Sequence, residues 1–203
     1  MALVKGGVAL IKLFFRLIMI IALPVLLFDC AGNSYKKMSI ENPKKLLSIQ
    51  DSLILVQGDN EVVLAALAIA NNTVAEKFMN QGDYKLAVNH FSKALTLNKT
   101  NTESKYGLLL AEGRALVKKG NKNGIWDAIE KYSKASDLFP SSGEPYYLTA
   151  LAYTKLGDTD FDLILESYEK SISLNLNDQL RDEVLKKYQH AKKRKTKLDS
   201  FWK

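Results

Sequence analysis

Three stretches of this 203-residue chain carry one skeleton: "NQGDYKLAVNHFSKAL" from Asn80, "KKGNKNGIWDAIEKYSKAS" from Lys118 and "KLGDTDFDLILESYEKSIS" from Lys155. Each has a glycine (Gly82, Gly120, Gly157), then an apolar or aromatic residue. A small or aliphatic residue follows (Ala87, Ala128, Ile164), and four positions later a ring (Phe91, Tyr132, Tyr168). Upstream of each glycine, at one fixed distance, stands another small residue (Ala75, Gly113, Ala150), with a bulky one (Phe78, Leu116, Tyr153) three places beyond it. Spacings of three and four put such residues on one helix face. A small residue there lets a partner helix approach, a ring one turn on fills the gap between the two, and glycine accepts the left-handed backbone that ends a helix. The chain is therefore expected to fold as stacked helical hairpins, because one hairpin cannot bury its apolar face alone.

This arrangement resembles the tetratricopeptide repeat, a helix-turn-helix unit of roughly 34 residues with an A-x₃-F second helix. The resemblance covers residues 68–177 in three copies, 68–101, 106–140 and 143–177. Pro140 supplies the expected helix stop in the second copy, where the others have Lys99 and Leu176. It implies an all-α fold in which TPR-like hairpins stack into a short right-handed superhelix. A further helix over residues 178–203, with Leu180, Val184, Leu185, Tyr188 and Ala191 on one stripe, is expected to cap the stack. Gly113 is expected at a closest approach of two helices, where leucine would be costly and alanine mild. Before the repeats, residues 46–67 are expected to be helical, "GDN" at 58–60 marking a stop and a fresh N-cap.

The N-terminus sets the compartment. Lys5, Lys12 and Arg16 precede an uninterrupted apolar run, Leu17 to Phe28. A run of that length suits the core of a secretory signal and falls short of a full membrane span. Cys30, the chain's only cysteine, follows it, with Leu27 three residues upstream and Ala31-Gly32 after it. The set resembles the lipobox of bacterial lipoproteins, which implies lipidation at Cys30. Asp29 departs from that pattern, which has a small uncharged residue there. Cleavage after Gly32 by ordinary signal peptidase, and an uncleaved anchor from about Val8 to Phe28, stay open beside it. Residues 1–30 are thus expected as signal or anchor and 31–45 as a polar tether. Each reading places the rest outside the cytoplasm, in a bacterial cell envelope and attached to its membrane.

Composition excludes several functions. A formal charge of +7, part of it in the N-terminal segment, is too small a bias to indicate nucleic acid. His90 and His190 are far apart in sequence, and no paired acid, base or nucleophile stands out, so neither an enzyme, a cofactor nor a metal is expected. Asp158, Asp160, Asp162 and Glu169 imitate a calcium loop, but Leu163 occupies the place where such a loop needs glycine. The run Lys186 to Lys197 reads as the solvated face of the capping helix, with attraction to anionic headgroups as the alternative.

In relatives of this repeat type the first helices line a concave groove that grips a peptide or a partner's helix. The resemblance places Asn72, Glu76 and Asn80 there from the first copy, Arg114 and Lys118 from the second, and Tyr147, Leu151 and Lys155 from the third. The three cations favour an acidic or extended protein partner. A lysine-asparagine clamp of the kind some relatives have is not reproduced, since Asn72 stands where its first lysine would be. A small-molecule accessory of a membrane transporter and a self-assembling envelope component are the alternative functions.

Overall fold

The structure, a computed structural model, describes residues 34–58, 60–157 and 160–201. These are almost wholly helical. The helices are α1 (34–41), α2 (Pro43–Ser48), α3 (Gln50–Gln57), α4 (Glu61–Gln81), α5 (Tyr84–Leu97), α6 (Thr102–Lys119), α7 (Lys122–Leu138), α8 (Glu144–Leu156), α9 (Phe161–Ser173) and α10 (Asp178–Phe201). The described residues fall into two compact units that divide inside α4, between Ala70 and Asn71.

The first unit departs from expectation at its start. Residues 34–41 are helical where a tether was expected, and Ser39 and Pro43 are buried. Within this helix the Ser39 hydroxyl donates to the Lys36 carbonyl at 2.7 Å, and Pro43 begins the next helix, in the first turn of α2, where its fixed φ suits a helix start. The single helix expected near residues 45–57 is instead two, broken at Ile49. Leu46, Leu53, Val63, Ala66 and Leu67 are buried. Asn60 opens α4 as expected, its Oδ1 accepting from the backbone N–H of Val62 at 3.0 Å and of Val63 at 3.3 Å. By length and composition α4 could cross a membrane; Val63, Ala66, Leu67, Ala68, Ala70, Val74 and Ala75 along it are buried within the protein.

The second unit is a run of antiparallel hairpins in which α5 packs on α6, α6 on α7, α7 on α8, α8 on α9 and α9 on α10. The repeated residues occupy equivalent places. Ala87, Phe91, Ala128, Tyr132, Ile164 and Tyr168 are all buried, as are Ala75, Gly113 and Ala150. Gly82, Gly120 and Gly157 have φ of 76°, 78° and 122°, the left-handed backbone each turn requires. At Gly113 a Cβ would lie 2.3 Å from Cε1 of Tyr132, and at Gly107 one would lie 2.4 Å from Cε1 of Phe91. The expectation that alanine is mild at Gly113 is thereby corrected, since the ring it would strike is fully buried.

Two further connections hold the C-terminal part of the unit together, the first closing the open end of the α8–α9 hairpin. Ser142 and Asn175 form an isolated parallel bridge: the Gly143 N–H donates to the Asn175 carbonyl and the Asn175 N–H to the Ser141 carbonyl, both at 2.9 Å. The buried Ser171 hydroxyl adds a bond to the Gly143 carbonyl at 2.8 Å. At the C-terminal end, Arg181 of α10 donates to the carbonyls of Ile172 and Leu174, each at 3.1 Å, satisfying acceptors at the end of α9. Val184 and Ala191 bury against the core, with Leu180, Tyr188 and Leu198 beside them. Leu185, expected on that stripe, is instead 38% exposed.

Candidate functional site

One face of α6 supplies Glu103, Tyr106, Gly107 and Leu110 to one depression and Arg114, Val117 and Lys118 to another. At 3.6 residues per turn all seven fall within an arc of about 120°. On α8, Glu144 lines the first depression and Leu148, Leu151 and Lys155 the second, again on one face. From α4 come Glu76, Met79 and Asn80. First helices of successive hairpins thus present a common groove with two differently charged ends.

The first depression, about 450 Å³, has an apolar floor that includes Met79, Phe91, Tyr106, Leu110 and Phe139, and a rim carrying Glu76, Glu103 and Glu144. The Tyr106 ring meets Phe139 edge-on, centroids 4.9 Å apart, and its hydroxyl lies 2.9 Å from the Ser142 Oγ. Burial pushes the Tyr106 phenol up to about 12, so it stays protonated. The second depression, about 360 Å³, gathers Arg114, Lys118, Lys155 and Leu151 around Tyr84. Lys118 Nζ stands 5.6 Å and Arg114 Cζ 5.9 Å from the Tyr84 ring centre, within the range of cation–π attraction.

The charges divide for a local reason. Glu103 and Glu144 lie in the first turns of α6 and α8, and Lys118 and Lys155 in their last turns, each sign favoured by the helix dipole at that end. Between the two ends Arg114 donates to Glu144 at 3.0 Å. Burial works against the guanidinium charge; the Glu144 carboxylate and Tyr84 more than offset it, and the Arg114 pKa is raised. Lys118 Nζ donates to the Gly82 carbonyl at 3.0 Å, while Lys155 is exposed.

Set against the expected residues, the structure brings Arg114, Lys118, Leu151 and Lys155 together at one end and Glu76 and Asn80 at the other. Asn72 and Tyr147 are placed differently. Asn72 Oδ1 accepts from the Ser104 hydroxyl at 2.9 Å, an internal bond between α4 and α6. Tyr147 is buried in the core and its hydroxyl donates to Glu183 at 2.6 Å, so its ring faces α10 and not the groove. Burial, reinforced by that carboxylate, raises the Tyr147 pKa far above its ordinary value. The aromatic of the basic end is Tyr84, which the sequence reading did not single out. Its signal was the aromatic just after the turn glycine. Cys30 and Asp158 lie outside the described residues; Asp162 pairs with Lys195 at 2.6 Å and Glu169 accepts from the Tyr188 hydroxyl at 2.5 Å.

No family model and no curated protein sequence matches the chain. Among solved structures it is similar to the TPR domain of P58(IPK), with a TM-score of 0.48 and 18% identity over 81% of this chain and 47% of that one. It is also similar to a MamA RS-1 ArsTM double mutant, with a TM-score of 0.45 and 18% identity over 81% of this chain and 96% of that one. For MamA the TM-score is 0.40, with 22% identity over 74% of this chain and 87% of that one. The chain spans about half the length of the P58(IPK) structure. The tetratricopeptide-like character of the second unit is carried by its own packing, a small residue against a ring in each repeat and a left-handed glycine at the turn within each repeat.

Proposed function

We propose that the chain is an exported, membrane-tethered scaffold that holds a protein partner along the common face of α4, α6 and α8. The observation that carries this reading is the meeting of Arg114, Lys118, Lys155, Leu151 and Tyr84 in one depression, beside a second with an apolar floor and a carboxylate rim. An extended segment suits two depressions in line better than a compact ligand does. Its acidic part belongs at the Lys118–Lys155 end; the Glu76, Glu103 and Glu144 rim repels a partner that is acidic throughout. Export and tethering rest on Leu17 to Phe28 and Cys30, whose sequence supports attachment to the membrane of a bacterial envelope.

The groove is tested by reversing the charges at its basic end. Arg114 is unsuitable, because removing it leaves Glu144 unpaired. Lys118→Glu with Lys155→Glu alters side chains at the exposed ends of α6 and α8 and should leave helicity and membrane retention unchanged. A photo-crosslinker at Leu151 should trap a protein from membranes in the parent chain, and the double variant should lose that adduct. An undiminished adduct in the variant would sink the assignment of this end as an acidic-segment site.

A further inference from the structure

We propose that α1, α2 and α3, with Val62 at the start of α4, form a surface that lies on an anionic lipid bilayer. Of the ten large hydrophobic side chains exposed among the described residues, five lie here: Ile40, Ile49, Leu55, Val56 and Val62. Leu55 is 87% and Val56 77% exposed, values that exclude any covering within the described residues. The cause is a run of four apolar residues, Leu53 to Val56. Four consecutive residues wrap most of the way around a helix, so while Leu53 is buried, Leu55 and Val56 point away from protein. In a helix facing only water, polar residues would occupy those two places.

Two further observations select lipid as the occupant. The same helices carry Lys36, Lys37, Lys44 and Lys45, all exposed; of these, Lys37 is 3.9 Å from Glu41 in an exposed pair that water screens. Exposed apolar side chains on helices that also carry four exposed lysines match the acyl boundary and the anionic headgroups of one leaflet. The second observation is distance along the chain. Phe28, the last residue of the apolar run, precedes Ser34 by six residues, a reach of at most about 20 Å even when fully extended. If that run is in the membrane, this surface begins next to it. The inference therefore rests on the tethering reading above and adds to it: the protein is held by a surface as well as by its N-terminus.

The test uses the full chain with its two native indoles removed (Trp126→Phe, Trp202→Phe) and one new indole introduced by Leu55→Trp, or by Leu86→Trp on α5 as an exposed control outside the surface. Each chain is floated with phosphatidylcholine vesicles, with or without phosphatidylglycerol, whose acyl chains are brominated near the headgroup. The expected result is co-flotation of both, with the indole at position 55 quenched several-fold more than that at 86, most strongly with phosphatidylglycerol. Lys36→Glu, Lys37→Glu, Lys44→Glu and Lys45→Glu together should keep flotation and reduce the quenching at 55; unchanged quenching overturns the anionic-headgroup assignment. Co-flotation with equal, weak quenching at both positions overturns the surface and leaves the tether standing. A blue-shifted indole at position 55 that bromolipid does not quench would assign the surface to a second copy instead. Loss of flotation would remove tether and surface alike.

Discussion

Gly113 shows how much one hydrogen atom can decide. The position lies inside α6, where alanine would ordinarily stabilise a helix by up to about 1 kcal/mol. Here the added methyl would sit 2.3 Å from the ring of Tyr132, which is buried on all sides and has no free end to swing away. Overpacking of this kind costs about 1–3 kcal/mol. Urea unfolding of Gly113→Ala should therefore show a net loss of up to about 2 kcal/mol, with the larger Gly113→Leu worse. A variant as stable as the parent would mean that α6 and α7 can separate at this crossing without penalty. Sequence reading located the contact correctly from the co-occurrence of Gly113 and Tyr132, but the sign of the alanine effect depends on how tightly the ring is held. No spacing encodes that. Gly107, whose missing side chain makes room for Phe91 in the preceding hairpin, was invisible for a related reason: the contact runs between neighbouring repeats, where the sequence skeleton describes only one repeat at a time.

At the scale of the element, the helices most easily read were those whose residues answer to a repeated constraint. Every turn glycine and every buried ring fell where the skeleton put it, because each hairpin solves the same local packing problem. Elements flanking the repeats obey no such rule. Polar residues 34–41 form a helix despite a composition suited to a tether, and the expected helix after them splits at Ile49. Tyr147 was placed in the groove by its position on a first helix, yet α10 covers it and supplies Glu183 as its partner. A periodicity argument made within α8 cannot know what the next element hides. The last helix also ends the stack by a specific device: Arg181 reaches two carbonyls at the end of α9. Arg181→Ala should leave those acceptors to water and cost about 1–3 kcal/mol. Thermal unfolding followed by circular dichroism reads this as an earlier loss of helicity, and Arg181→Lys should recover only part of it, since a single ammonium cannot reproduce the fork. Equal stability of all three chains would show that α10 is held by Val184 and Ala191 alone.

For the molecule as a whole, the two ends of the groove have opposite charge because helix dipoles and side-chain charges agree in α6 and α8, so the groove's polarity follows from the direction of its helices. A partner would accordingly be read in one orientation. The parallel bridge between Ser142 and Asn175 has another consequence, for the order in which the chain comes apart. It ties the loop before α8 to the loop after α9, 33 positions further along the chain, while Ser171 clasps the same loop from inside. Loops of repeat proteins are ordinarily the first places to exchange their amide hydrogens. These two should not be. The Gly143 and Asn175 amides should exchange as slowly as those in the middle of α8, because neither can open until the two ends of the α8–α9 hairpin separate. Fast exchange at both would reduce the bridge to a passing contact. Slow exchange would mean that the α8–α9 hairpin is fastened at its open end as well as at its turn, so that its two helices come apart as a single piece.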